Sequence, residues 1–275
     1  MYTQLQQRDS DQHPVTLNTL AQMRAADEKI ACVTAYDASF AALVEAAGVD
    51  VVLVGDSLGM VIQGHDTTVP VTMDHMVYHC AAVGRGLRRA FLVADMPFMS
   101  YTSREHALTN SVRLMQEGGA RMIKLESGGS QLEIVEHLAR HDIAVCAHLG
   151  LKPQSVHKTG GFRVQGRERE GAVRMLAEAR ALEAAGADLL LLECIPASLG
   201  RDITAGVQVP VIGIGAGPDT NGQILVLYDI LDITAGRKPR FVRNFMTGAA
   251  DCGAAVARYV EAVRTRSYPA PEHCF

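Results

Sequence analysis

Short, nearly continuous apolar runs alternate along the chain with longer segments whose apolar residues recur at helical spacing. The runs are 29–37, 50–56, 91–95, 122–126, 143–148, 188–193 and 209–215. Unbroken apolar runs of this length are what strands covered on both faces require, and alternation with helical segments implies a parallel sheet. The helical segments include an Ala-rich stretch ending at Gly48, then 104–118 and 168–185. Residues 16–23 carry apolar positions at helical spacing and predict a helix capping the bottom of a barrel.

An eighth strand is assigned to 223–228, which follows the seventh run after few residues and is equally compatible with a helix. Eight strands favour a closed (β/α)8 TIM barrel over an open doubly wound sheet. A final helix is expected from about Thr247 to Arg264, with 1–15 and 267–275 as loose tails around a single domain spanning 1–275. The length agrees with one barrel, for which about 250 residues is typical. The segment 150–166, with Gly160-Gly161-Phe162, reads equally as a mobile lid or an ordered loop.

Composition narrows the partners. Net charge is −4, and basic residues do not cluster with aromatics, so nucleic acid and anionic membrane are poor candidates. No apolar stretch approaches the roughly 20 residues of a membrane span, and the polar N-terminus is unlike a signal peptide, which points to the cytoplasm. The six cysteines form no Cys-x-x-Cys pair and read as small buried thiols.

Candidate chemistry comes from where the charges fall. In such a barrel the active site lies at the carboxyl ends of the strands. Asp56, Asp95, Lys124 with Glu126, His148 and Glu193 end strands two to six. Because strand side chains alternate between faces, Lys124 and Glu126 point the same way. Alone, that pair reads as an ion pair; with four other strand ends it reads as part of a site. Asp56, Asp95 and Glu126 would repel one another in a site of low dielectric unless a cation held them, and three hard oxygen donors suit Mg²⁺. The competing account is that one of these acids simply pairs with Lys124. Glu193, at the end of an apolar strand, is the candidate base. His148 either donates a hydrogen bond to an anionic substrate or lines a wall. Gly213-Ile214-Gly215-Ala216-Gly217 lacks the full dinucleotide pattern and reads as a sharp turn or a close backbone approach.

Several pieces then resemble one family in order along the chain: Thr34-Ala35-Tyr36-Asp37, Val54-Gly55-Asp56-Ser57-Leu58-Gly59-Met60, Ala94-Asp95-Met96-Pro97-Phe98, Ile123-Lys124-Leu125-Glu126, His148-Leu149-Gly150-Leu151, Pro153-Gln154-Ser155, Leu192-Glu193 and Phe241-Val242-Arg243-Asn244-Phe245. They resemble the ketopantoate hydroxymethyltransferases. The resemblance implies a barrel of the phosphoenolpyruvate/isocitrate-lyase-like type. It implies one Mg²⁺ per subunit on Asp56, Asp95 and Glu126, oxo-acid contacts from Asp56, Ser57, Asp95 and Lys124, His148 in the same pocket, and Glu193 as proton acceptor. The implied reaction transfers a hydroxymethyl group from 5,10-methylenetetrahydrofolate to 3-methyl-2-oxobutanoate through a Mg-stabilised enolate. The products would be 2-dehydropantoate and tetrahydrofolate, in pantothenate biosynthesis, with the chain assembled as a homodecamer. Ala147, Lys152, Asn221 and Asp232 depart from the family pattern, which expects glycine, threonine, aspartate and glycine there. The alternatives are a Mg-dependent C–C lyase of the phosphoenolpyruvate-mutase/isocitrate-lyase kind and a non-catalytic barrel that binds small anions.

Overall fold

The computed structural model describes residues 13–236 and 238–275. Eight parallel strands close into a barrel in sequence order, β1 to β8. They are β1 Ile30–Thr34, β2 Val51–Val54, β3 Phe91–Asp95, β4 Met122–Glu126, β5 Val145–Gly150, β6 Leu189–Glu193, β7 Val211–Ile214 and β8 Gly222–Leu225. Closure runs through β8 and β1, with Ile30 opposite Gly222 and Val33 opposite Leu225. The helices are α1 Leu17–Ala25, α2 Ala38–Ala46, α3 Leu58–Val61, α4 Met73–Gly86, α5 Arg104–Gln116, α6 Leu132–Ala139, α7 Val156–Thr159, α8 Arg169–Ala184, α9 Ala197–Gly206, α10 Leu227–Ile230 and α11 Cys252–Arg264.

Strand alternation sorts the apolar residues into two cores. Inward positions such as Val51, Leu53, Phe91, Val93, Met122, Cys146, Leu189 and Leu191 fill the barrel and meet Leu20 of α1 and Val15. Outward positions such as Val52, Ile123, Leu125, Val145 and Leu190 pack with the surrounding helices. Thus α1 does plug the amino-terminal end of the barrel. Thr16 starts it, its hydroxyl accepting from Thr19 N at 3.2 Å.

Three expectations need correction. Residues 223–228 divide: Gly222–Leu225 form β8, whereas Leu227 and Tyr228 already belong to α10. The β7–β8 connection has no helix, and this is why two strand-like runs stand so close in the sequence. The last helix begins at Cys252 rather than near Thr247, because Asp251 caps it by accepting from Ala254 N at 2.8 Å. Finally, the segment after Ser267 is packed rather than loose. Tyr268 is buried, its hydroxyl donates to Phe241 O at 2.6 Å, and Phe275 O accepts from Ala197 N at 3.1 Å. An aromatic side chain at 268 anchors what its prolines suggested was free. Of the expected loose segment at the amino-terminus, 1–12 lie outside the described residues, and Val15 is buried.

All six cysteines are free thiols, and Cys32, Cys80, Cys146 and Cys194 are buried. Among the described residues no helix is long and apolar enough to cross a membrane. Two of the four departures have visible roles. Asp232 adopts a left-handed backbone with φ 61°, the conformation for which glycine is suited, and accepts from Asn244 Nδ2 at 2.7 Å. Asn221 Oδ1 accepts from Val211 N at 2.9 Å, tying the start of β7.

Candidate active site

The parity that fills the barrel with Val93, Met122, Cys146 and Leu191 also directs Asp95, Lys124, Glu126, His148 and Glu193 inward at the carboxyl ends of β3 to β6. Register brings neighbours together: Asp95 pairs with Lys124 across β3 and β4, and Glu126 with His148 across β4 and β5. Asp56 arrives differently. β2 stops at Val54, and Gly55 takes the next inward place. A Cβ on Gly55 would lie 2.9 Å from Ser57 Oγ and 3.3 Å from Asp95 Oδ2. Its missing side chain lets Asp56 and Ser57 turn back over the barrel.

The seven expected residues converge, and all but Ser57 and Glu193 are fully buried. Lys124 Nζ donates to Asp95 Oδ1 at 2.5 Å, and Asp56 N donates to Asp95 Oδ2 at 3.1 Å. The acid paired with Lys124 is therefore Asp95, not Glu126. Ser57 Oγ lies 2.9 Å from the Tyr36 hydroxyl.

Burial dominates the electrostatics. It pushes Asp56 up to about 7, with the Asp95 charge adding to the effect and Lys124 opposing it. It pushes Glu126 up to about 8 against the Gln154 N–H, and Glu193 up to about 7 against Lys124. For Lys124, burial alone would lower the pKa, but the charges of Asp95 and Asp56 together hold it raised. His148 falls well below its usual value through burial and then the Lys124 charge, so it is neutral. Its Nε2 lies 3.2 Å from Glu193 Oε2, yet neither ring nitrogen makes an aligned hydrogen bond to another described group. That contact is between a neutral ring and a carboxyl, not an ion pair.

Four acids thus surround one lysine, and two of those expected to hold a metal, Asp56 and Glu126, resist ionising without a further cation. In kind this donor set fits a hard divalent ion. Among the described residues, however, no three His, Cys, Asp or Glu side chains stand together in ligating geometry. Protein donors occupy the carboxylates instead: Lys124 on Asp95, Gln154 Nε2 on Asp56 Oδ2 at 2.8 Å, and Gln154 N on Glu126 Oε1 at 2.8 Å.

Sequence reasoning missed Gln154, Tyr101 and Tyr36 as members of the site. They carry no charge, so a search for ionisable strand ends passes over them, although Pro153-Gln154-Ser155 and Thr34-Ala35-Tyr36-Asp37 were among the family-like pieces. The segment 150–166 is tied to the site at both ends. Gln154 holds one end, and Gln165 N donates to Cys194 O at 2.9 Å at the other. Gly150 is required where the segment starts: φ is 97°, and a Cβ would sit 2.1 Å from Glu193 O.

Residues 14–271 match the family model described as Ketopantoate hydroxymethyltransferase. The chain is 61% identical over 262 residues to the 3-methyl-2-oxobutanoate hydroxymethyltransferase of Alkalilimnicola ehrlichii, covering 95% of each chain. Among solved structures it resembles 2,3-dimethylmalate lyase, a PEP mutase/isocitrate lyase superfamily member. There the TM-score is 0.57 at 17% identity, over 76% of this chain and 80% of the other. It also resembles phosphonopyruvate hydrolase in complex with oxalate and Mg²⁺, with a TM-score of 0.56 at 16% identity and the same coverage. At such identities these two structures speak for the barrel type alone. The family model and the Alkalilimnicola ehrlichii relative go further: the chain belongs to the ketopantoate hydroxymethyltransferase family.

Proposed function

We propose that this chain transfers a hydroxymethyl group from 5,10-methylenetetrahydrofolate to 3-methyl-2-oxobutanoate, giving 2-dehydropantoate and tetrahydrofolate for pantothenate biosynthesis. The observation that carries the mechanism is Glu193, a partly buried carboxyl raised to about 7 beside neutral His148, on the rim that also holds Lys124. A base whose pKa lies near the working pH is what removal of a carbon-bound proton needs.

Asp56, Asp95 and Glu126 would hold Mg²⁺, which when bound supplies a Lewis acid that acidifies the C3 proton of the oxo acid. The chain's own residues do the rest. Lys124 and the Ser57 hydroxyl bind the oxo-acid oxygens and set the direction of C3, and His148 lines the same pocket. Glu193 takes the C3 proton. Water hydrolyses the methylene bridge of the folate, both of its carbon–nitrogen bonds breaking to leave a one-carbon aldehyde and the two N–H groups of tetrahydrofolate. The carbon freed by Glu193 attacks the aldehyde carbon, and the resulting alkoxide takes the proton back from Glu193 to become the hydroxymethyl group. The charge of Lys124 stabilises the anionic substrate throughout. We extend the proposal to a cytoplasmic homo-oligomer, a decamer as the family resemblance implies, which sedimentation of the purified protein checks.

The test is the deuterium exchange of C3 in the oxo acid with Mg²⁺ and no folate. Exchange that disappears in Glu193→Gln, with oxo-acid binding kept, supports the assignment. Exchange at the parent rate in that variant overturns it.

A further inference from the structure

Gln154 touches more of the site than any of the residues chosen for their charge. It is buried on the turn after β5. Its carboxamide Nε2 donates to Asp56 Oδ2 at 2.8 Å and to Met96 O at 2.9 Å. Its backbone N–H donates to Glu126 Oε1 at 2.8 Å, and its Oε1 accepts from the Tyr101 hydroxyl at 2.6 Å. One residue from the β5 turn is thereby bonded to groups that follow β2 and β3 and to the end of β4.

We propose that Gln154 is a positioning residue that sets the rotamers and the separation of Asp56 and Glu126 for the metal and oxo acid. The inference rests on the function proposed above. A carboxylate at a strand end is free to turn about its last torsions, and two buried carboxylates repel. Gln154 counters both, because its backbone N–H and its Nε2, the latter's amide held by Met96 O and the Tyr101 hydroxyl, each engage one carboxylate oxygen. The amide cannot work reversed: Asp56 Oδ2 and Met96 O both accept, so the NH₂ must face them, and Tyr101 donates to the oxygen left behind. A purely structural glutamine at a loop would satisfy its amide with backbone groups. Here the side chain and the main chain of the same residue divide between two carboxylates of the site.

The experiment uses the full chain with Gln154→Met, Gln154→Glu and Tyr101→Phe. Gln154→Met keeps side-chain length and removes the amide; Gln154→Glu adds a fifth acid and removes the donor. Mg²⁺ alone is titrated calorimetrically into each, metal-free melting is recorded, and C3 exchange of 3-methyl-2-oxobutanoate gives KM and kcat without folate. Partners that orient metal ligands are commonly worth 10–100-fold in affinity. Gln154→Met is therefore expected to remain folded while losing about 10-fold or more in Mg²⁺ affinity and raising KM for the oxo acid more than it lowers kcat. Gln154→Glu loses more, and Tyr101→Phe shifts both readouts the same way by less. Should Gln154→Met not fold, Tyr101→Phe decides alone, since it leaves the amide in place. Parental Mg²⁺ affinity in a folded Gln154→Met, or in Tyr101→Phe where that variant decides, overturns the proposal, as does a parent that binds no Mg²⁺. A parent that binds Mg²⁺ but exchanges no C3 proton overturns the proposed function instead.

Discussion

Lys124 and Asp95 form a buried ion pair across β3 and β4, Nζ to Oδ1 at 2.5 Å, with both side chains nearly inaccessible. A buried pair adds little net stability, but removing one partner leaves the other charged and unsolvated, at a cost of about 3–5 kcal/mol. Lys124→Met is therefore expected to lower the metal-free stability by about that amount and to raise KM for the oxo acid. Chemical denaturation checks the first effect. A variant as stable as the parent would mean that Asp95 finds another partner.

Glu126 stands apart from that pair and bonds to Gln154 N. Glu126→Ala is expected to weaken Mg²⁺ binding far more than folding, because the native hydrogen bond is a single one, of about 1 kcal/mol net. Calorimetric titration of Mg²⁺ measures it, and unchanged affinity would remove Glu126 from the metal set.

Stability should depend on pH in a direction set by burial. Asp56, Glu126 and Glu193 are raised to about 7, about 8 and about 7, above the ordinary 3.8 or 4.5 they regain on unfolding. The folded protein thus binds protons that the unfolded chain has released. The contribution is complete below about pH 4 and is lost as pH rises through 7 to 8. Metal-free melting temperatures should fall between pH 5.5 and 8.5. Saturating Mg²⁺, which favours the ionised carboxylates, should flatten that fall, and so should Glu126→Gln. An identical slope in Glu126→Gln would show that Glu126 does not titrate in this window.

Gly150 couples backbone to chemistry. With φ at 97° and Glu193 O within 2.1 Å of any added Cβ, Gly150→Ala must displace one strand end. The expected loss is at least about 2 kcal/mol, with a lower kcat because Glu193 moves. Parental kcat in that variant would mean that Glu193 tolerates displacement or is not the proposed base.

Much of this was legible in the sequence for a physical reason. Inward and outward positions of parallel strands are both buried, so the seven apolar runs stood out, and parity alone put Lys124 and Glu126 on one face. What failed depended on local chemistry without an apolar signature. The cap at Asp251 moved the start of the last helix, the missing β7–β8 helix blurred β8 into α10, and Tyr268 anchored a segment whose prolines suggested freedom. Within the site, charge found the acids but not who holds them. Gln154 and Tyr101 are neutral, and only the folded turn after β5 brings them to Asp56 and Glu126.

The most direct measurement of the central claim is to incubate the purified chain with 3-methyl-2-oxobutanoate, Mg²⁺ and 5,10-methylenetetrahydrofolate and follow 2-dehydropantoate by mass. The expected result is stoichiometric 2-dehydropantoate and tetrahydrofolate from the parent, and a rate lower by about 10²–10⁴ from Glu193→Gln, the range for loss of a general base. Cleavage of the oxo acid, or no new carbon–carbon bond with all three present, would contradict it.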